Sequence, residues 1–261
     1  MPKLRPLRSG TFIDLDPILP RGLGPRRVRA YVPAPRPEDG KRPVLLLFDG
    51  QNVFDNRGSF AGGWFAHDAV DQLGRWKPTP PLLVAIDHGH HARIDELTPF
   101  SDGQRGGKLD AITDAVVDQL LPRLHARFDL VYGPGGHYVG GGSLGGLAAL
   151  YMHMHRPEVF GGAIAMSPSL WFTRPAIDAF VRTRENPYRS RVYLDAGASE
   201  GRGNTASLVR RLGSHLSARG WTPPGEKRDL RVMVRVDPKG LHNERSWGRR
   251  LPKALRFVCE A

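Results

Sequence analysis

The residues best equipped for chemistry in this chain are a serine, a histidine and several carboxylates that lie far apart in the sequence. Ser143 stands in Tyr138-Val139-Gly140-Gly141-Gly142-Ser143-Leu144-Gly145-Gly146-Leu147-Ala148-Ala149-Leu150, with Gly141 and Gly145 at the G-x-S-x-G spacing. That spacing describes a short strand, a sharp turn and a small-residue helix, the nucleophile elbow. The glycines let strand and helix approach closely, and the turn leaves the hydroxyl open. The Leu144 N–H then lies at a helix N-terminus, where developing negative charge is favoured. The competing reading of the pentapeptide alone is a Gly-rich loop without chemistry. A phosphate-binding loop would need a Lys after the glycines, and none follows.

An elbow serine needs a base, and the base needs an acid to orient it. The expected chain order is Ser, then Asp or Glu, then His. His242, in Lys239-Gly240-Leu241-His242-Asn243-Glu244, is the base candidate, because His153, His155 and His215 fall inside predicted helices. Glu200 is preferred as the acid, with Asp195 at the end of the preceding strand as the alternative. Asp237 is a third option, crowded against the base's own strand. The second oxyanion donor is expected in the Asp49-Gly50-Gln51-Asn52 turn, as the Gln51 N–H beside that of Leu144. Arg93 and Trp171 are candidate substrate contacts, one offering charge and the other an apolar face. His88 and His90, with Asp87 or Asp95, have a faint metal-ligand spacing. No fuller ligand motif follows, and a solvated loop is the preferred reading. No cofactor and no metal are expected.

These residues need a scaffold, and the sequence supplies alternating elements. Val28–Val32, with basic and apolar residues alternating, and the runs at Pro43–Phe48, Pro81–Ile86, Gly161–Met166 and Arg191–Asp195 read as strands, and Leu230–Val236 alternates as an exposed or edge strand. Helical spacing marks Trp64–Leu73, Leu109–Phe128 with a kink or split at Pro122, the segment after Ser143, Thr205–Arg219, and Asn243–Val258 with a break near Pro252. Strands alternating with helices predict an α/β fold with a mostly parallel central sheet covered on both faces. Ligand sites in such sheets lie beyond the carboxyl ends of the strands, where the polar clusters fall.

The chain has 261 residues, is 40% hydrophobic and contains one cysteine, Cys259. It reads as a single α/β domain with residues 1–10 as a loose basic arm, no transmembrane helix, no internal disulfide and a cytoplasmic location. Net charge is +12 and the sequence pI is about 10.4. The charge is mostly scattered arginine, without a recognised nucleic-acid module, so no specific nucleic-acid partner and no membrane partner are expected.

Taken together, several stretches resemble the putative-esterase family of α/β-hydrolases, closest to its enterobactin-type siderophore esterase branch. They are Phe48-Asp49-Gly50-Gln51-Asn52-Val53-Phe54, Arg93-Ile94-Asp95-Glu96-Leu97-Thr98-Pro99, Gly141 to Leu150, His155-Arg156-Pro157-Glu158-Val159-Phe160-Gly161, Ser167-Pro168-Ser169-Leu170-Trp171 and Gly240-Leu241-His242-Asn243-Glu244-Arg245-Ser246-Trp247. The resemblance spans about residues 28–258. It implies an α/β-hydrolase fold, a serine esterase acting on small-molecule esters, Ser143 as nucleophile, Glu200 as acid, His242 as base, and backbone donors at Gln51 and Leu144. The His88–His91 run departs from the family pattern, and Phe172–Ser190 is too weak to identify a lid. Acyl transfer through the same triad is the alternative within enzymes. An anion- or nucleic-acid-binding protein on a hydrolase scaffold is the alternative outside them. Oligomeric state is not readable.

Overall fold

The computed structural model describes residues 9–57, 59, 62–76, 79–184, 190–221 and 231–259. Their strands are β1 (Thr11–Ile18), β2 (Arg26–Val32), β3 (Val44–Phe48), β4 (Leu82–Ile86), β5 (His137–Gly142), β6 (Gly162–Met166), β7 (Arg191–Gly197) and β8 (Val232–Asp237). They form one sheet in the order β1-β2-β4-β3-β5-β6-β7-β8. β1 and β2 run antiparallel, and every pairing from β4 to β8 is parallel. Parallel neighbours need crossovers, which the helices supply.

Burial on both faces explains the unbroken apolar runs. In β3, Val44, Leu46 and Phe48 join the core under one face, while Leu45 and Leu47 join that under the other. The first core is covered by α3 (Leu109–Ala115), α4 (Leu121–Arg127), α5 (Leu144–His155) and α7 (Asn204–Leu216). The second lies under α1 (Ala66–Gly74) and α8 (Glu244–Cys259). Two further helices, α2 (Arg93–Glu96) and α6 (Arg174–Arg182), lie in the connections after β4 and β6.

Two helix expectations change in detail. The Leu109–Phe128 segment is split by a π turn over Val116–Leu120, which leaves Pro122 in the first turn of α4. The helical backbone continues through the π turn, with the Leu121 N–H bonded to Val116 O, so the wider turn accommodates the proline without ending the helix. The final helix has no break: α8 runs through Pro252. Leu251, Ala254, Leu255 and Val258 bury its apolar side against the sheet, and that burial outweighs the ~3 kcal/mol cost of an interior proline. The basic arm lies mostly outside the described residues, as does Leu230 of the last predicted strand. No helix among the described residues is long and apolar enough to cross a membrane.

Candidate active site

Ser143 occupies the turn between β5 and α5 with φ 57° and ψ −122°. Non-glycine residues rarely adopt such a backbone, and it persists only where neighbours enforce it. The enforcement is visible. Ser143 N–H donates to the Met166 carbonyl at 2.9 Å, and Ser143 O accepts from Ser169 N–H at 3.0 Å. A Cβ added to Gly141 would meet the Gly145 carbonyl carbon and oxygen at 2.5 Å. Strand and helix are therefore in backbone contact, as the glycine spacing requires.

The carboxyl ends of β5, β7 and β8 bring three distant side chains together. His242, in the loop between β8 and α8, places Nε2 2.9 Å from Ser143 Oγ. Its Nδ1 lies 3.1 Å from Glu200 Oε2. Glu200 opens a 3₁₀ turn after β7 and is 5% exposed. Its other oxygen, Oε1, accepts from the Gly197 N–H at 2.8 Å and the Ser167 hydroxyl at 2.9 Å. Burial pushes the Glu200 carboxyl up, but the hydrogen bonds from His242, Gly197 and Ser167 outweigh it and hold the group below the ordinary glutamate value. An ionised Glu200 can orient the imidazole and balance its positive charge.

The alternative carboxylates have other partners. Asp195 is fully buried, lies 2.9 Å from Arg250 Nε and accepts from Tyr193 Oη and the Ser167 N–H. Burial raises its carboxyl, with Arg250 opposing. Asp237 pairs with Arg249 at 2.7 Å and accepts from the Lys239 N–H.

The Leu144 N–H is the first of α5, and Gln51 lies within a 3₁₀ turn over Gly50–Asn52. N–H groups at the start of a helix have no intrahelical partner and can face an anion. The Gln51 side chain does not face that way. Its amide brackets the His88 backbone, donating to His88 O at 2.8 Å and accepting from His88 N–H at 3.2 Å. A cleft of about 360 Å³, lined by Arg27, Arg29, Gln51, Asp55, Arg57 and Asp87, opens beside this turn.

Arg93 opens α2 and forks onto Asp49, with Nε and Nη2 at 2.6 and 2.7 Å from the two carboxylate oxygens. Trp171 is 61% exposed, and so is much of Leu241 beside His242. The His88–His91 run does not converge. His88 Nδ1 accepts from the His90 N–H at 2.9 Å, and burial lowers the His88 imidazole's affinity for protons. Among the described residues no group of three or more His, Cys, Asp or Glu is disposed to hold a metal.

Sequence reasoning missed the layer behind the Ser143, His242 and Glu200 side chains. Ser167, at φ 44° and fully buried, donates to Glu200 and accepts from Trp247 Nε1 and Arg250 Nη2, both at 3.0 Å. Ser169 Oγ lies 3.2 Å from Ser143 Oγ. The available signal was Trp247 and Arg250, placed three apart on one face of the last helix.

The sequence matches the family described as Putative esterase over residues 23–258. It is 25% identical over 249 residues to the uncharacterized protein YbbA of Bacillus subtilis, covering 90% of this chain and 93% of that one. It is 31% identical over 147 residues to the iron(III) enterobactin esterase of Dickeya dadantii, covering 56% of this chain but 31% of that enzyme. A solved structure, the BES protein from Bacillus cereus, superposes with a TM-score of 0.73 at 18% identity, covering 97% and 96% of the two chains. The siderophore hydrolase EstA from Aspergillus nidulans also gives 0.73, at 17% identity and 95% and 94% coverage. With an α/β-hydrolase sheet and a family match over nearly its whole length, the chain belongs to the putative-esterase family and is a carboxylic ester hydrolase.

Proposed function

We propose that the enzyme cleaves its ester through an acyl-enzyme on Ser143, with His242 as base and Glu200 as the orienting acid. The observation that carries this reading is the unbroken hydrogen-bonded chain from Ser143 Oγ through both imidazole nitrogens to Glu200, at 2.9 and 3.1 Å. Ser143 Oγ attacks the ester carbonyl as its proton passes to His242 Nε2. The carbonyl electrons move onto oxygen, and the N–H groups of Gln51 and Leu144 stabilise the oxyanion. The tetrahedral intermediate collapses, and His242 gives the proton to the departing alcohol. Water then attacks the acyl-enzyme by the same route and releases the acid and free Ser143.

The substrate in this reading is a small-molecule ester of the siderophore type, anionic or aromatic. Relatives named as enterobactin and salmochelin esterases support it, as does the chain's +12 charge, which favours anionic ligands. Trp171, exposed and two residues beyond Ser169, whose hydroxyl lies 3.2 Å from Ser143 Oγ, offers an aromatic face. The Arg93 guanidinium is engaged by Asp49. The reading includes a single domain working in the cytoplasm, which a lone cysteine favours.

Intact mass after incubation with a fluorophosphonate tests the nucleophile. One adduct is expected on the wild type and none on Ser143→Ala, which should also lose about 10⁵–10⁶-fold in kcat. An adduct of equal yield on the variant would remove Ser143 from the role.

A further inference from the structure

We infer that Arg93 is a positioning residue for the oxyanion loop, acting through Asp49, and not a substrate contact. The inference rests on the proposed donor roles of Gln51 and Leu144. The loop carrying the Gln51 N–H has few backbone bonds of its own. It is a three-residue 3₁₀ turn, and it is entered through Asp49 in the left-handed region at φ 56° and ψ 48°. A turn this short gains little from its own hydrogen bonds, and an L-residue resists that backbone.

The turn's own backbone bonds, Asn52 N–H to Asp49 O at 2.9 Å and Val53 N–H to Gly50 O at 3.2 Å, are joined by polar contacts from outside the turn to each of its residues. Asp49 accepts the two-pronged bond from Arg93. Gly50 O accepts from Arg29 Nη2 at 2.7 Å. Gln51 brackets the His88 backbone, and Asn52 Nδ2 donates to Glu244 Oε1 at 3.0 Å. The segment that delivers Arg93 is anchored in turn. Glu96 is 1% exposed, pairs with Arg26 and accepts from the Gly89 N–H at 2.7 Å. A Cβ on Gly50 would lie 2.5 Å from Asp87 Oδ1 and 2.8 Å from the Asp87 nitrogen, so the exits of β3 and β4 pack backbone against backbone.

Charge gives Arg93 a second task. The Asp49 side chain is 7% exposed, and a Cβ on Gly145 would meet its Oδ2 at 3.0 Å. The carboxylate therefore sits between its own loop, with Gln51, and the first turn of α5, with Leu144. A bare negative charge there would oppose the oxyanion that the two N–H groups are meant to stabilise. The planar guanidinium fork both cancels that charge and fixes the carboxylate's orientation, which a lysine would do less well. Loss of Arg93 should then be felt in the transition state and not in ground-state binding.

The test uses p-nitrophenyl acetate for kcat and KM, and an arylboronic acid, which adds to the serine as a tetrahedral anion, for inhibition. Arg93→Ala is expected to lower kcat about 10²-fold with KM within about twofold, the size of losing one oxyanion donor, and to weaken boronate inhibition in parallel. Arg93→Lys should fall between the two. Adding Asp49→Asn to Arg93→Ala should recover part of kcat, because it removes the bare charge. A rise in KM with kcat unchanged would return Arg93 to the substrate side and overturn the inference, as would unchanged kinetics in Arg93→Lys. If Arg93→Ala does not fold, Arg93→Lys and the double variant decide on the same readouts. Ser143→Ala run alongside separates the two levels. Activity retained there sinks the serine reading itself. Activity lost there, with only KM moved at Arg93, sinks this inference alone.

Discussion

Glu200 and Asp195 are two buried carboxylates near the end of one strand, and their partners assign them different work. Glu200 faces the His242 imidazole, while Asp195 faces the Arg250 guanidinium, which is 8% exposed. An amide at position 200 keeps the shape but removes the charge that, in the proposed mechanism, orients the imidazole and balances its proton. Glu200→Gln should therefore lower kcat about 10⁴-fold with a modest change in melting temperature. Asp195→Asn instead leaves a buried guanidinium without its main counter-charge. It should cost about 3–5 kcal/mol of stability, read by urea unfolding, while the folded fraction keeps most of its kcat. The reverse pattern would make Asp195 the triad acid.

At the scale of elements, the elbow depends on β5 and α5 touching through backbone. Gly141→Ala would force its methyl into the Gly145 carbonyl, which cannot swing away as a side chain could. The expected result is a loss of about 1–3 kcal/mol and of esterase activity, because the displaced helix carries the Leu144 N–H. Gly135→Ala is the control: a Cβ there meets nothing within 4 Å, and equal effects of the two changes would refute the steric account. The elbow and the doubly buried strands were legible because both leave local marks, small residues in one case and unbroken apolar runs in the other. β1 was not. It is an edge strand with a mostly exposed burial pattern, includes Pro17 and shifts register between Leu15 and Ile18. α6, with two buried residues, was also unread. The proline of α8 misled because its cost is local and the burial that outweighs it is tertiary. The site followed the same division. Ser143, Glu200 and His242 stand in segments with local patterns, but the bonds joining Ser167 to Trp247 and Arg250, and Arg93 to Asp49, link segments far apart in the chain, and the spacing of Trp247 and Arg250 on α8 does not name the partner they share.

At the scale of the whole molecule, protons set the range over which this assembly holds. His153 is fully buried on α5, with Nδ1 3.0 Å from Phe160 O and Nε2 2.6 Å from the Ser190 hydroxyl. Burial lowers its pKa to about 4. His137, which opens β5, lies 2.8 Å from the His125 Nε2, and burial together with that neighbour lowers it to about 4 as well. Both imidazoles are neutral in the fold and would take a proton more readily when unfolded, near the ordinary histidine value of about 6.5. A group whose folded pKa is depressed contributes stability that is fully present above the unfolded value. That stability is lost as pH falls from about 6.5 towards about 4, at about 1.4 kcal/mol per pH unit for each site. Net charge of +12, counted with the ten histidines neutral, rises over the same window, and self-repulsion adds to the loss. Thermal unfolding should therefore show a plateau above pH 6.5 and a steep decline below it. His153→Gln, which cannot be protonated, should flatten that decline even if it lowers the plateau. An unaltered slope in the variant would mean that the acid sensitivity arises elsewhere.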